Sequence, residues 1–158
     1  MNFLVVKQIS ILSFIFGVIL GFVLLIPFFN LIAFLFAMFL VGGAMVIFLK
    51  KFNMIGLINI REGAIVGAIS GFASFLGVCA FYIPASSVLS LIPGFTGGFF
   101  TLFLGSFASL LIGFSMIIFS ALMSALLNSF SGLFAIWVYE FITGIKKGDN
   151  ENVDFKIK

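Results

Sequence analysis

From Gly63 to Tyr139 the chain runs 77 residues without an Asp, Glu, Lys or Arg. A second uncharged stretch, Gln8 to Leu49, adds 42 more. A helix of about 20 apolar residues crosses a bilayer, and charges inside hydrocarbon are costly, so these two runs have room for four or five crossings. With 63% hydrophobic and 8% charged residues, the chain lies far from soluble domains, in which about 25% of residues are charged. The pattern predicts an all-α integral membrane protein. The expected form is a four-span antiparallel helical bundle, with five spans as the alternative, ending in a C-terminal interfacial amphipathic helix.

Breaker residues set the expected boundaries. Pro27 and Asn30 fall midway through the first uncharged run; proline cannot donate to the helix ladder and asparagine tolerates turns, which predicts spans over about 8–27 and 30–49. Lys50 and Lys51 end the second span, and FNMIGLINIRE (52–62) is too short and polar to cross. A third span is expected over about 63–83, stopped by Pro84 and the segment PASSVLSLIPGFTGG. A fourth runs over about 98–127, with NSFSG at 128–132 as its end signal.

Beyond that signal, Leu133, Phe134, Trp137, Val138, Phe141, Ile142 and Ile145 recur at helical spacing, with Ile136 as the exception. Trp137, Tyr139 and the Lys146-Lys147 pair suit a helix lying at the membrane surface over about 133–145. Residues 1–147 then form one polytopic membrane domain and 148–158 a polar tail. Four spans put every charged residue on one side, and cytoplasmic flanks carry the excess Lys and Arg. Both termini are therefore expected in the cytoplasm, with the plasma (inner) membrane as location. The net charge of +3 comes from flanking residues, not from a patch with exposed aromatics, so no nucleic-acid partner is expected.

Small residues supply the clearest motif. Gly63, Gly67 and Gly71 form two overlapping GxxxG steps, and Ser70, Ser74 and Gly77 follow. At about 100° per residue, Gly63, Gly67, Ser70, Ser74 and Gly77 fall within roughly 80° of arc, a flat face on which another helix backbone can approach closely. Ser10, Ser13, Gly17 and Gly21 make a similar stripe on the first span. Ala33, Ala37 and Ala44 do so on the second, and Gly98, Gly105, Ser109, Gly113 and Ser120 on the last. These are the candidate helix-packing residues of a compact bundle with a Phe/Leu/Ile exterior toward lipid, and the third-span stripe is in addition the candidate interface for a second copy or a larger membrane complex. Ser70, Ser74, Ser109, Ser115, Ser120 and Ser124 could instead line a narrow conduit.

The chain has no histidine and one cysteine, Cys79, which removes His-based triads, His-ligated haem and zinc, and any intrachain disulfide. No catalytic, metal or cofactor residues are assigned. GFTGG at 94–98 lacks the GK[ST] ending of a P-loop. Glu62, beside Arg61 at a helix start, fits the N-terminal dipole. Glu140 becomes an ion or proton candidate only if five spans bring it to depth. Asn30 is read as a turn residue.

The opening KQISILSFIFGVILGF and closing LFAIWVYEFITGIKKG resemble the ends of short four-span prokaryotic membrane proteins of unknown function. That likeness of composition implies no activity. The first-span glutamate of small multidrug transporters is missing. The expectation is a non-enzymatic structural or accessory membrane subunit, with the lipid bilayer and a homo-oligomer or membrane complex as partners. The alternative is a small pore or carrier for an uncharged or lipid-like solute.

Overall fold

The computed structural model describes residues 3–26, 28–52, 60–89 and 107–154, with side chains over 4–26, 28–52, 60–89 and 112–142. Among them are five α-helices and no strand: α1 (Phe3–Leu24), α2 (Asn30–Phe39), α3 (Val41–Lys51), α4 (Ile60–Leu89) and α5 (Phe107–Asp154). Three of these helices are long and apolar enough to cross a membrane, over Leu4–Leu24, Ile60–Leu89 and Ile112–Ile142. The count rises to four if α2 and α3, bent 68° to each other, are one span.

After α1 the chain reverses through short backbone bonds, Leu25 N–H to the Phe22 carbonyl at 3.2 Å and Ile26 N–H to Val23 at 3.0 Å. The Asn30 side-chain amide donates to the Leu24 carbonyl at 2.8 Å, closing an end that the helix leaves open. Asn30 thus ties α1 to α2 at the turn.

Two helices continue past their expected stops. α4 passes through Pro84 to Leu89. Pro84 leaves the Ala80 carbonyl without its helical donor, while the hydroxyls of Ser86 and Ser87 donate to the Ile83 carbonyl at 3.0 and 2.8 Å. α5 passes through 128–132 without interruption for 48 residues. Asn128 does not cap its own helix because its side chain is engaged with α2 and α3. Gly132 does not end it because it packs against Gly63 and Gly67.

Residues 133–142 are the continuation of α5 and form no separate helix. Ile136 is fully buried with Ala135, whereas Phe134, Trp137, Phe141 and Ile142 are exposed. Phe134, Trp137 and Phe141 stack in succession at 5.9 Å between ring centroids. The helix face chosen for packing is the small-residue one, since Gly132 and Ala135 admit a close neighbour and the aromatics do not. This stretch continues α5 beside α3 and α4, and the helix runs on into the expected tail as far as Asp154.

α4 is the central helix: half of its apolar stretch is buried, against 22% for α1 and for α5. One apolar cluster joins Ile9, Val46, Leu49, Val66, Ala135 and Ile136. A second joins Leu20, Leu24, Ala33, Ala37, Val41, Met45 and Val78. The first cluster brings the start of α1, the end of α3 and the start of α4 to one end of the molecule. Lys50 Nζ lies 3.9 Å from the centre of the Tyr139 ring at that same end, so Lys7, Lys50, Lys51, Arg61, Glu62 and Glu140 share it. Large apolar side chains such as Phe22, Phe114 and Phe130 face outward, as expected of surfaces solvated by lipid.

Candidate functional site at a helix break

Between Phe39 and Val41 the helical run of the chain bends by 68°. Counted as one span, α2 and α3 put this break about 15 Å from either end, the middle of a hydrocarbon core about 30 Å thick. Ten and eleven residues joined at 68° reach about 26 Å end to end, several Å less than a straight helix of the same length. A break there opens backbone groups where no water is available to meet them, and each unmet group costs several kcal/mol.

α5 meets them. The Asn128 side-chain amide donates to the Met38 carbonyl at 2.9 Å and to the Ala37 carbonyl at 3.1 Å, and its Oδ1 accepts the Gly42 N–H at 2.6 Å. In an unbroken helix Gly42 N–H would bond the Met38 carbonyl. Asn128 stands in that link, its amide acting as an extra peptide group with one donor side and one acceptor side. Ser131 Oγ accepts the next N–H, from Gly43, at 3.1 Å. The Ser124 hydroxyl lies 3.3 Å from the Ala37 carbonyl and 3.1 Å from the Gly71 carbonyl of α4. Asn128 and Ser124 have no exposed surface.

Glycines make room for this junction from two sides. A Cβ at Gly42 or Gly67 would collide with the Asn128 main chain, and one at Gly71 with the Ser124 carbonyl and the Asn128 side chain. Gly63 packs on Ile136 and Gly132 in the same way. The Gly63, Gly67 and Gly71 stripe is therefore occupied by α5 of the same chain. No second copy can reach those glycines without displacing that helix.

The other edge of α4 meets α1. A Cβ at Gly17 would strike the Ser74 main chain and one at Gly77 the Phe14 carbonyl, while Gly21 lies against Val78 and Phe81. The pairs 17–74 and 21–78 run in parallel register. Ser13 and Ser70 are fully buried, and their hydroxyls have no hydrogen-bond partner. Gly113 is buried on α5, Gly105 lies outside the described residues, and so does the side chain of Ser109. Glu62, in the first turn of α4, and Glu140, exposed on α5, both sit at the charged end, away from the junction.

Two open apolar grooves flank these contacts. The larger, about 720 Å3, lies between α1, α4 and α5 beside Phe14, Phe72, Leu76 and Leu122. The smaller, about 330 Å3, runs along the break between Leu40, Gly43, Ser131 and Phe134.

Asn128 was not among the residues singled out from the sequence, where it served only as an end signal. The available clue was its setting: an amide in a long apolar run with Ser124, Ser131 and Gly132 on neighbouring turns, a pattern that bonds across helices in lipid. No protein-family model, curated protein or solved structure matches the chain, so function has to be read from this geometry.

Proposed function

We propose that the chain is a non-enzymatic four-span membrane protein that carries or admits an uncharged or lipid-like solute, with the broken second span as its working element. One observation supports this above the rest: a 68° helix break, at mid-depth when α2 and α3 are counted as one span, with four of its backbone groups met by the neutral side chains of Asn128 and Ser131. Membrane carriers build their solute sites from discontinuous helices near the midplane. The groove along this break opens sideways among apolar residues, which suits a solute arriving from lipid. Residues 63–139 contain no Asp, Glu, Lys or Arg, so a proton relay has no carrier there and uncharged cargo fits best.

The four crossings in this proposal are α1, α2 with α3, α4 and α5. The charged end is then the cytoplasmic side by the excess of Lys and Arg, with both termini on it, in the plasma (inner) membrane. Protein reconstituted into phosphatidylcholine vesicles is expected to raise either glycerol permeation or transfer of a fluorescent phospholipid between leaflets above the protein-free rate. That rate should be the same with and without a pH gradient. Rates equal to those of empty vesicles in both assays overturn the proposal.

A second reading, an accessory subunit, draws on α5. Only 22% of its apolar stretch is buried, and the helix continues to Asp154. Its contact surface would be the outward face bearing Phe119, Phe130 and Phe134. Co-purification in mild detergent followed by mass analysis tests this, and a chain that runs alone with lipid counts against it.

A further inference from the structure

We infer that the bend in the second span is imposed from outside it: Asn128 and Ser131 of α5 form a latch on α2 and α3, and a straight helix over 30–51 is the state this segment adopts when the latch withdraws. This concerns the conformation of the chain and stands whether or not a solute crosses.

Sharp helix kinks have identifiable causes: proline, Gly/Ser pairs, an extra residue in a turn, or a side chain inserted into the ladder. From Asn30 to Val41 the sequence NLIAFLFAMFLV contains neither Pro nor Gly. Gly42 and Gly43 follow the break inside α3, and their lack of a Cβ is what admits the Asn128 main chain and Ser131. The inserted side chain is Asn128, joined to both the Met38 carbonyl and the Gly42 N–H.

These two groups are also each other's partners in a straight helix, where every N–H bonds the carbonyl four residues back. Lipid does not tolerate leaving them open. The segment therefore has two arrangements in which these two groups are paired, one completed by α5 and one completed by itself, with open backbone between them. Packed elements with two discrete arrangements are what conformational switches are made of.

The latch is also short of protons. The Asn128 NH2 group has two hydrogens and four acceptors within 3.1 Å: the Ala37, Met38 and Ser124 carbonyls and Ser124 Oγ. The single Ser124 hydroxyl proton faces two further carbonyl contacts. The bent state pairs the Met38 carbonyl and the Gly42 N–H, yet the acceptors around Asn128 and Ser124 outnumber their protons, whereas the straight helix pairs backbone donors and acceptors one to one.

Spin labels on cysteines introduced at Leu31 and Phe52, both exposed, in a Cys79→Ala background report the bend through their separation in lipid nanodiscs. The two positions are about 26 Å apart along the bent path and about 31 Å along a straight one. The parent should give the shorter distance. Asn128→Leu should lengthen it by about 5 Å, and the smaller Asn128→Ser should show the longer distance at least as a second population. An unchanged distance in folded Asn128→Leu and Asn128→Ser overturns the inference, because the bend is then intrinsic to 30–51. Failure of both variants to fold also overturns it, since the inference requires a second closed arrangement.

Discussion

The junction between α3 and α5 and the seam between α1 and α4 hold polar side chains at similar depth and treat them oppositely. At the junction, the Asn128 amide uses both its donor and its acceptor, and Ser131 caps a free N–H. In the seam, the Ser13 and Ser70 hydroxyls are buried without a partner. The seam holds because Gly17 and Gly77 let two backbones touch; serine serves there mainly as a small residue. The junction holds because backbone opened by a break has to be closed. A polar side chain in a membrane helix is therefore a poor guide to its own energetic weight until its neighbours are known.

Substitutions can break this contrast. Gly67→Leu should have the largest effect, more than about 3 kcal/mol, because it drives a side chain into the Asn128 main chain and Gly132. Loss of a single sharp peak on size-exclusion chromatography would show it, and normal behaviour would mean that the α4–α5 contact is looser than described. Asn128→Leu comes next, at about 2 kcal/mol of lost stability, read as a lower midpoint of thermal unfolding in detergent. The loss is held to that size because 30–51 can close its own hydrogen bonds.

Ser131→Ala removes one cap and should cost about 1 kcal/mol, with faster amide exchange at Gly43 as its signature. Lys50→Gln, which removes the charge above the exposed Tyr139 ring, should cost about 0.5 kcal/mol. Ser70→Ala and Ser13→Ala should fall within about 0.5 kcal/mol of the parent, on the stabilising side, since each deletes a buried hydroxyl without a partner. A loss above 1 kcal/mol in either alanine variant would erase the contrast between seam and junction.

Much of the helical layout was legible from the residues. The small-residue faces of Gly17, Gly21, Gly63, Gly67 and Gly71 are packing faces in the structure, because the absence of a side chain is a property of the residue itself. What those faces pack against was not legible. The Gly63, Gly67 and Gly71 stripe reads from the sequence as a packing face within the bundle or, more sharply, toward a second copy, and it meets α5 of its own chain. Pro84 and NSFSG were misleading as helix stops: serine hydroxyls bond the backbone beside Pro84, and the Asn128 amide finds acceptors in a distant segment. The break at Phe39–Val41 left no trace in residues 30–41, since its cause lies nearly 90 positions further along the chain.

The long uncharged runs determined by themselves that this chain is helical and suited to lipid, because a charge-free backbone in hydrocarbon has to satisfy its own hydrogen bonds. Turn residues near Pro27 and the lysines at 50 and 51 determined where the first hairpin reverses and ends. Only the tertiary structure decided that α2 and α3 meet at a bend, that Asn128 bonds both sides of it, and that the glycine stripe of α4 faces inward to α5. Those outcomes depend on which helix supplies a partner to which backbone group, and a side chain's chemistry specifies the bond it needs without specifying where in the chain the partner lies.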